Sequence, residues 1–147
     1  MNLITIARGF RYRRVYKEHG FFWNDELAQF VRTYGGHQVH YRHPHMDFTL
    51  WADFRFPELI SGAELPARNS DYYVSTAKYL GEDVALVGQC EYGGVHLLLT
   101  EKGKFVGFDE YKLIRWGTAD LGWRDSVKHF LEGMAPTPFG DILPHRT

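Results

Sequence analysis

The sequence predicts a single-domain α+β protein whose mainly antiparallel central sheet is packed by helices. Three observations lead to this prediction. Stretches with apolar residues at helical spacing occur before, between and after stretches with strand-like character. Short glycine-containing turns separate several of the strand-like stretches, which favours antiparallel pairing. The chain has 147 residues and neither an internal repeat nor a linker, so residues 1–147 fit one domain with one core.

The first predicted helix begins after Asn24, which is suited to cap it. The two carboxylates that follow Asn24 favour the positive end of a helix dipole. The apolar residues of this stretch share one helix face: Leu27, Phe30, Val31 and Tyr34. We expect Gly35 to end the helix with a positive φ angle.

A predicted hairpin follows, with strands over residues 37–42 and 46–54 and a turn around Pro44. Alternate residues of the second strand are expected to face the core: Met46, Phe48, Leu50, Ala52 and Phe54. The residues between them and just beyond are expected to face solvent: Asp47, Thr49, Trp51, Asp53 and Arg55. Residues 56–70 are predicted to form a loop.

A second helix is predicted over residues 71–80, with Gly81 at its end. Its inward residues are expected to be Tyr73, Val74, Ala77 and Leu80. Three strand-like runs come next, VALVGQC, VHLLLT and KFVGF, followed by the shorter run KLIRW. Asp120 is expected to cap a last helix that ends at Gly133. Its inward residues are expected to be Trp123, Val127, Phe130 and Leu131. Residues 135–147 are rich in proline and are predicted to be a tail, which leaves a core of about residues 8–134.

The charge of the chain is balanced, with 17 Lys and Arg residues against 18 Asp and Glu residues and a net charge of -1. This balance argues against a dedicated nucleic-acid binder. The segment RGFRYRRVYK, residues 8–17, does combine basic and aromatic side chains as single-strand binders do. The alternative is an edge segment with its aromatic rings in the core and its arginines in water, and no direct nucleic-acid partner is expected.

Cys90 is the only cysteine, so no disulfide forms within the chain, and we expect it to be a buried filler in a strand. No run approaches the ~18 consecutive apolar residues of a membrane span, and no signal peptide is evident. The expectation is therefore a cytoplasmic protein without a membrane partner. The oligomeric state stays open.

The stretch HQVHYRHPHMD, residues 37–47, raises the possibility of a metal site. On a strand that rises ~3.3 Å per residue, His37, His40 and His43 lie too far apart to converge on one ion. His43 and His45 flank Pro44 and would need a third ligand, such as Asp47 or the distant His96. The favoured interpretation is a solvent-facing hairpin without metal or cofactor.

Three blocks of the chain resemble the SUKH superfamily, particularly its third subfamily of immunity proteins. The first is DELAQFVRTYGGHQV, a helix that ends in Tyr-Gly-Gly before a strand. The second is AKYLGEDVALVGQC, and the third is YGGVHLLLTEKGKFVGFDEY, which is followed by a terminal helix that ends near Gly133. The segment ARGFRYRRV also resembles the glycine-aromatic and arginine start seen in relatives. Together the resemblance covers about residues 8–134, in the family's order. Leu86 and Phe10 depart from the pattern, because relatives often have proline and tryptophan there.

The resemblance implies a binding module that performs no chemistry. SUKH-type immunity proteins are typically encoded in bacteria beside polymorphic or contact-dependent toxins, and they neutralise the toxin domain, often a nuclease or deaminase, by occluding it. Other members act as regulatory interaction domains. The resemblance thus implies a cognate toxin domain as partner, with a regulatory scaffold as the alternative and a metal-dependent enzyme that uses His43 and His45 as a more remote one.

The outer side of the second hairpin strand is the candidate partner-binding surface. It would present Trp51 between the carboxylates of Asp47 and Asp53, with Arg55 beyond them. A large aromatic ring within a charged rim is typical of an interface hot spot. Carboxylates there would also mimic phosphate toward a basic nuclease site and speed association. The alternative is that a helix covers this side and Trp51 belongs to the core.

Overall fold

The computed structural model describes residues 3–55, 71–91 and 94–142, and no side chains of residues 3–10 or of Asp71. The loop predicted over residues 56–70 and the end of the predicted tail, residues 143–147, lie outside the described residues.

Within the described residues the fold has four helices and seven strands. The helices are α1 (Leu3–Glu18), α2 (Asp25–Tyr34), α3 (Asp71–Leu80) and α4 (Trp123–Leu131). The strands are β1 (Gln38–Arg42), β2 (Thr49–Asp53), β3 (Val84–Cys90), β4 (Val95–Thr100), β5 (Phe105–Asp109), β6 (Lys112–Arg115) and β7 (Thr137–Asp141). All seven form one antiparallel sheet in the order β1-β2-β3-β4-β5-β6-β7. The predicted α+β fold, a single domain with a sheet packed by helices, is confirmed.

Helices cover both faces of the central strands. Phe105 and Phe108 point to opposite faces because they lie three residues apart on β5. Phe108 packs against Tyr73 of α3, and the Tyr16 hydroxyl of α1 donates to the Leu86 carbonyl oxygen at 2.6 Å. Phe105 packs against Phe30 of α2 and also against α4. Because both faces are covered, β3 is almost continuously buried, as its unbroken apolar sequence indicates.

The β1–β2 hairpin is covered on one face only. Tyr41 stacks on Phe130 of α4, and Phe54 just past β2 packs against Phe30. Ala52 is fully buried on the same face. In the described structure no helix covers the opposite face, and its residues alternate with the buried ones as the period of a half-buried strand requires. The hairpin therefore presents one open sheet face.

Two elements differ from the sequence-based expectation. Residues 8–17 do not form an edge segment; they belong to α1, in which Tyr12 and Tyr16 are buried one helical turn apart while Arg13 and Arg14 are exposed. The predicted tail contains β7, which pairs with β6. Pro138 is tolerated in β7 because β7 is an edge strand, in which one side of the backbone needs no partner.

Several details of the predicted elements are also wrong. Gly35 follows α2 with φ -57°, and the positive φ falls on Gly36. The N-cap of α4 is Gly122 instead of Asp120, whose carboxylate accepts a hydrogen bond from the Thr118 hydroxyl. Three residues predicted to face the core are exposed: Met46, Phe48 and Val74. Met46 and Phe48 are exposed because β2 begins only at Thr49, after a bend.

Candidate partner-binding surface

The open face of the hairpin carries an exposed tryptophan. We call this surface the outer face and define it by Gln38, His40, Thr49, Trp51 and Asp53. Trp51 is 52% exposed, and its ring centroid lies 3.6 Å from that of His40 on the paired strand. Such a cross-strand contact stabilises the position of the indole. The outer face thus offers a large, pre-positioned aromatic surface to solvent.

Asp53 and Arg55 form an ion pair beside Trp51. Nε of Arg55 donates to Oδ1 of Asp53 at 2.9 Å, and the second guanidinium nitrogen donates to Oδ2 at 2.8 Å. The Arg55 backbone N–H also donates to Oδ1. Partial burial acts to raise the pKa of Asp53, but the hydrogen bonds and charge of Arg55 and a hydrogen bond from Gln38 outweigh it and lower the pKa below its usual value. Asp53 is therefore ionised and its charge is largely matched by Arg55.

A groove opens between β2 and β3 at the edge of the outer face. These two strands pair only at Asp53 and Gln89, and they diverge from there toward Thr49 and Glu91. The groove has a volume of about 360 Å³. Its lining residues are Gln38, Thr49, Leu50, Trp51, Asp53, Gln89, Cys90 and Glu91. Because Trp51 belongs to both, the groove and the outer face form one continuous surface.

The close contact at the closed end of the groove depends on Gly88. A Cβ atom at this position would lie 2.6 Å from the Asp53 carbonyl oxygen and 2.8 Å from the Phe54 ring. Any side chain there would push the end of β2 away from β3. Gly88 also lies at the irregularity in the pairing of β3 with β4. The glycine thus permits the single pairing that holds the hairpin to the rest of the sheet.

Glu91 lies at the open end of the groove, just after β3. Its φ angle is 54°, a left-handed conformation that non-glycine residues adopt infrequently. Its Oε1 atom lies 3.6 Å from Nε2 of His43, a contact that becomes an ion pair when the imidazole is protonated. Unlike Asp53, Glu91 has no arginine or lysine within ion-pair distance in the described residues. It supplies uncompensated negative charge when His43 is neutral.

The structure brings three of the four predicted surface residues together. Trp51 and Asp53 lie on β2, and Arg55 is tied to Asp53. Asp47 instead lies exposed in the bend between β1 and β2, together with Met46 and Phe48. The residues that sequence reasoning did not single out are Gln38, His40, Gln89 and Glu91. The positions of His40 and Gln38 beside Trp51 and Asp53 are predictable from the register of a hairpin. Gln89 and Glu91 line the groove only because strands distant in the sequence pair.

The histidines of residues 37–47 do not meet a third ligand. The ring centroids of His43 and His45 are 6.0 Å apart, and Nδ1 of His43 accepts a hydrogen bond from the His45 backbone N–H. His96 lies on β4, stacked on Phe108. Over residues 3–55, 71–91 and 94–142, no three His, Cys, Asp or Glu side chains are grouped so that they would hold a metal ion.

Cys90 is buried in β3 beside the groove. Burial is the main cause that raises its pKa, to about 12, and the charges of Glu91 and Asp109 add to it. The side chain is therefore a protonated thiol at neutral pH and a poor nucleophile. This agrees with its predicted role as a small filler of the core.

Comparisons of the chain with models of protein families, with curated proteins and with solved structures give no match. Among the helices of the described chain, none combines the length and the apolar character needed to cross a bilayer.

Proposed function

We propose that the protein is an immunity protein of SUKH type, a binding module that occludes a cognate toxin domain in the cytoplasm of the cell that makes it. The observation that carries the proposal is the exposure of Trp51, a large apolar residue, on the uncovered face of the half-buried strand β2. The toxin as partner comes from the resemblance of the three sequence blocks to the SUKH superfamily.

The composition of the outer face supports a role in protein binding. Tryptophan is among the residues most enriched at interface hot spots, because a large ring contributes apolar area at a small cost in side-chain entropy. Trp51 is held by His40, and the Asp53–Arg55 pair forms a polar rim beside it. A central ring within a polar rim is the arrangement found in stable interfaces.

The charges near Trp51 favour a basic partner. Because Arg55 engages Asp53, the carboxylate of Asp53 contributes less than its formal charge indicates. Glu91 in the groove and Asp47 in the bend provide the remaining negative charge on this side. A nuclease toxin presents a basic substrate-binding site, and carboxylates on the immunity protein would steer it into the complex.

The proposal assigns no chemistry to the protein. Among the described residues His43 and His45 share no third ligand, and the Cys90 thiol is buried with its pKa raised. The polar side chains that line the groove are amides, carboxylates and the hydroxyl of Thr49. This arrangement supports recognition of a partner surface better than a nucleophile with a base.

Co-expression with the toxin domain encoded beside this gene tests the proposal. We expect the wild-type protein to restore growth and to purify with the toxin as a stable complex. The matched control is a folded but unrelated protein of similar size, which should not protect. Absence of an adjacent toxin gene together with absence of protection would contradict the immunity function. A complex with a partner that is not a toxin would instead identify a regulatory scaffold.

A further inference from the structure

The side of β2 that faces the groove carries backbone groups without partners in the described structure. Phe54 just after β2 exchanges hydrogen bonds with Gly36 and His37, toward β1, so the even-numbered residues of this strand bond to β1. The backbone N–H and C=O groups of the odd-numbered residues then point toward β3. In agreement with this, the Asp53 carbonyl oxygen lies close to Gly88 of β3. From Asp53 back toward Thr49, β2 no longer pairs with β3. The N–H and C=O groups of Thr49 and Trp51 therefore face the groove.

The groove also has a distinct charge. Among the described residues, its lining contains two carboxylates, Asp53 and Glu91, and neither lysine nor arginine. Arg55 compensates Asp53 from outside the lining, whereas the contact that the described residues offer Glu91 within ion-pair distance is the imidazole of His43, at 3.6 Å. The groove therefore favours a cationic side chain, which the Glu91 carboxylate would attract.

We propose that an extended segment of the partner enters the groove, pairs its backbone with Thr49 and Trp51, and directs a basic side chain to Glu91. The inference rests on the proposed function for the identity of the partner. It adds to that function the kind of partner segment that binds in the groove. Addition of a strand to an open strand edge supplies affinity through backbone hydrogen bonds, and the side-chain contacts supply specificity. The volume of about 360 Å³ suits a few residues of an extended chain.

A capped pentapeptide, acetyl-Val-Thr-Arg-Thr-Val-amide, is the probe for this inference. Titrated into the full-length ¹⁵N-labelled protein above pH 7, it should shift the backbone amide resonances of Thr49 and Trp51 and slow their hydrogen exchange. The same peptide with glutamate in place of arginine should bind more weakly. Methylation of the arginine backbone nitrogen should also weaken binding, because it removes a donor to the strand edge while the charge is unchanged.

The matched pair of variants is Glu91→Gln and Glu110→Gln. Both glutamates lie in turns with left-handed φ angles, 54° and 56°, but only Glu91 lines the groove. Glu91→Gln should weaken binding of the arginine peptide about two- to fivefold, the size expected of a partly exposed ion pair. Glu110→Gln should leave it unchanged.

The inference is overturned if neither peptide binds, if the amide shifts lie away from the groove, or if both variants weaken binding equally. The peptide titration needs no toxin, so its result is separate from that of the co-expression test. Peptide binding in the groove without toxin protection would refute the proposed function alone. Toxin protection without peptide binding would refute the strand pairing alone.

Discussion

Trp51 differs from two other tryptophans of the protein in what surrounds its ring. Trp116 and Trp123 are 3% and 2% exposed and belong to the aromatic cluster between the sheet and α2 and α4. Trp51 is 52% exposed, so about half of a large apolar side chain contacts water. At ~25 cal/mol per Å² of apolar surface, covering this ring would contribute on the order of 1–2 kcal/mol to association. That gain is available to a partner that covers the outer face.

His96 shows how burial changes a titratable group at the scale of one residue. Its ring stacks on Phe108 with centroids 4.6 Å apart, and Nδ1 lies 3.4 Å from the Tyr73 hydroxyl. Burial lowers the pKa of His96, because the folded protein solvates the charged imidazolium poorly. The neutral ring therefore stabilises the packing of α3 on the sheet.

The lowered pKa of His96 predicts a loss of stability in mild acid. The unfolded chain has the ordinary histidine pKa of ~6.5 and binds the proton first as the pH falls. The contribution of His96 is therefore complete above pH ~6.5 and is lost as the pH falls through the lower pKa of the folded state. Urea unfolding between about pH 7.5 and pH 5 should show a smaller decrease in the free energy of unfolding for His96→Gln than for the wild type.

His19→Gln is the matched control, because it makes the same replacement just after α1 instead of on β4. It should retain the wild-type pH dependence. Equal pH dependence in wild type and His96→Gln would contradict the account of His96.

At the scale of elements, the attachment of the β1–β2 hairpin to the sheet is the least extensive strand pairing. β3 and β4 pair along their whole length, whereas β2 and β3 pair at one position. The hairpin is held mainly by contacts on its buried face, where Tyr41 packs against Phe130 and Phe54 packs against Phe30. The helices thus hold the hairpin, and the gap between β2 and β3 is left for the groove.

Gly88→Ala should weaken this junction. The added Cβ atom would meet the Asp53 carbonyl oxygen and the Phe54 ring at distances that require backbone movement. We expect a loss of about 1–3 kcal/mol in the free energy of unfolding, as in other overpacked sites. Hydrogen exchange should also become faster for amides of β2 than for those of β4.

Gly122→Ser is the control for an added side chain at a glycine. Its Cβ atom would meet nothing within 4 Å, its φ of -72° suits any residue, and the hydroxyl would be placed to cap α4. This variant should unfold at the same or a slightly higher urea concentration than the wild type. If Gly88→Ala were as stable as Gly122→Ser, the close approach at Gly88 would not matter for the hairpin.

Local sequence patterns predicted most elements and missed two for physical reasons. The buried strands β3 to β5 were predicted because their apolar runs and turns are local signals. The strand β7 was missed because proline opposes strand formation except at an edge, and edge position depends on the whole sheet. α1 was missed because its basic residues obscure the helical spacing of Tyr12 and Tyr16.

At the scale of the whole molecule, the site was predictable only in part. The alternation of β2 predicted that Trp51 and Asp53 share a face opposite Ala52, and it does not depend on distant contacts. The groove is different, because it arises where β2 meets β3 through Asp53 and Gln89, which are far apart in the chain. The pairing of Asp53 with Arg55 also reduces the electrostatic role expected for that carboxylate.

The central claim is that the outer face of the hairpin binds the toxin domain. Titration calorimetry of the proposed cognate toxin domain into the wild type, Trp51→Ala and Tyr79→Ala tests it most directly. Tyr79 is 51% exposed on α3, so it matches Trp51 as an exposed aromatic residue on another element. Circular dichroism should show that both variants retain the fold.

Trp51→Ala should lose at least about 2 kcal/mol of binding free energy, roughly a 30-fold increase in Kd. Tyr79→Ala should bind like the wild type. An unchanged Kd for folded Trp51→Ala would contradict the central claim and place the toxin on another surface.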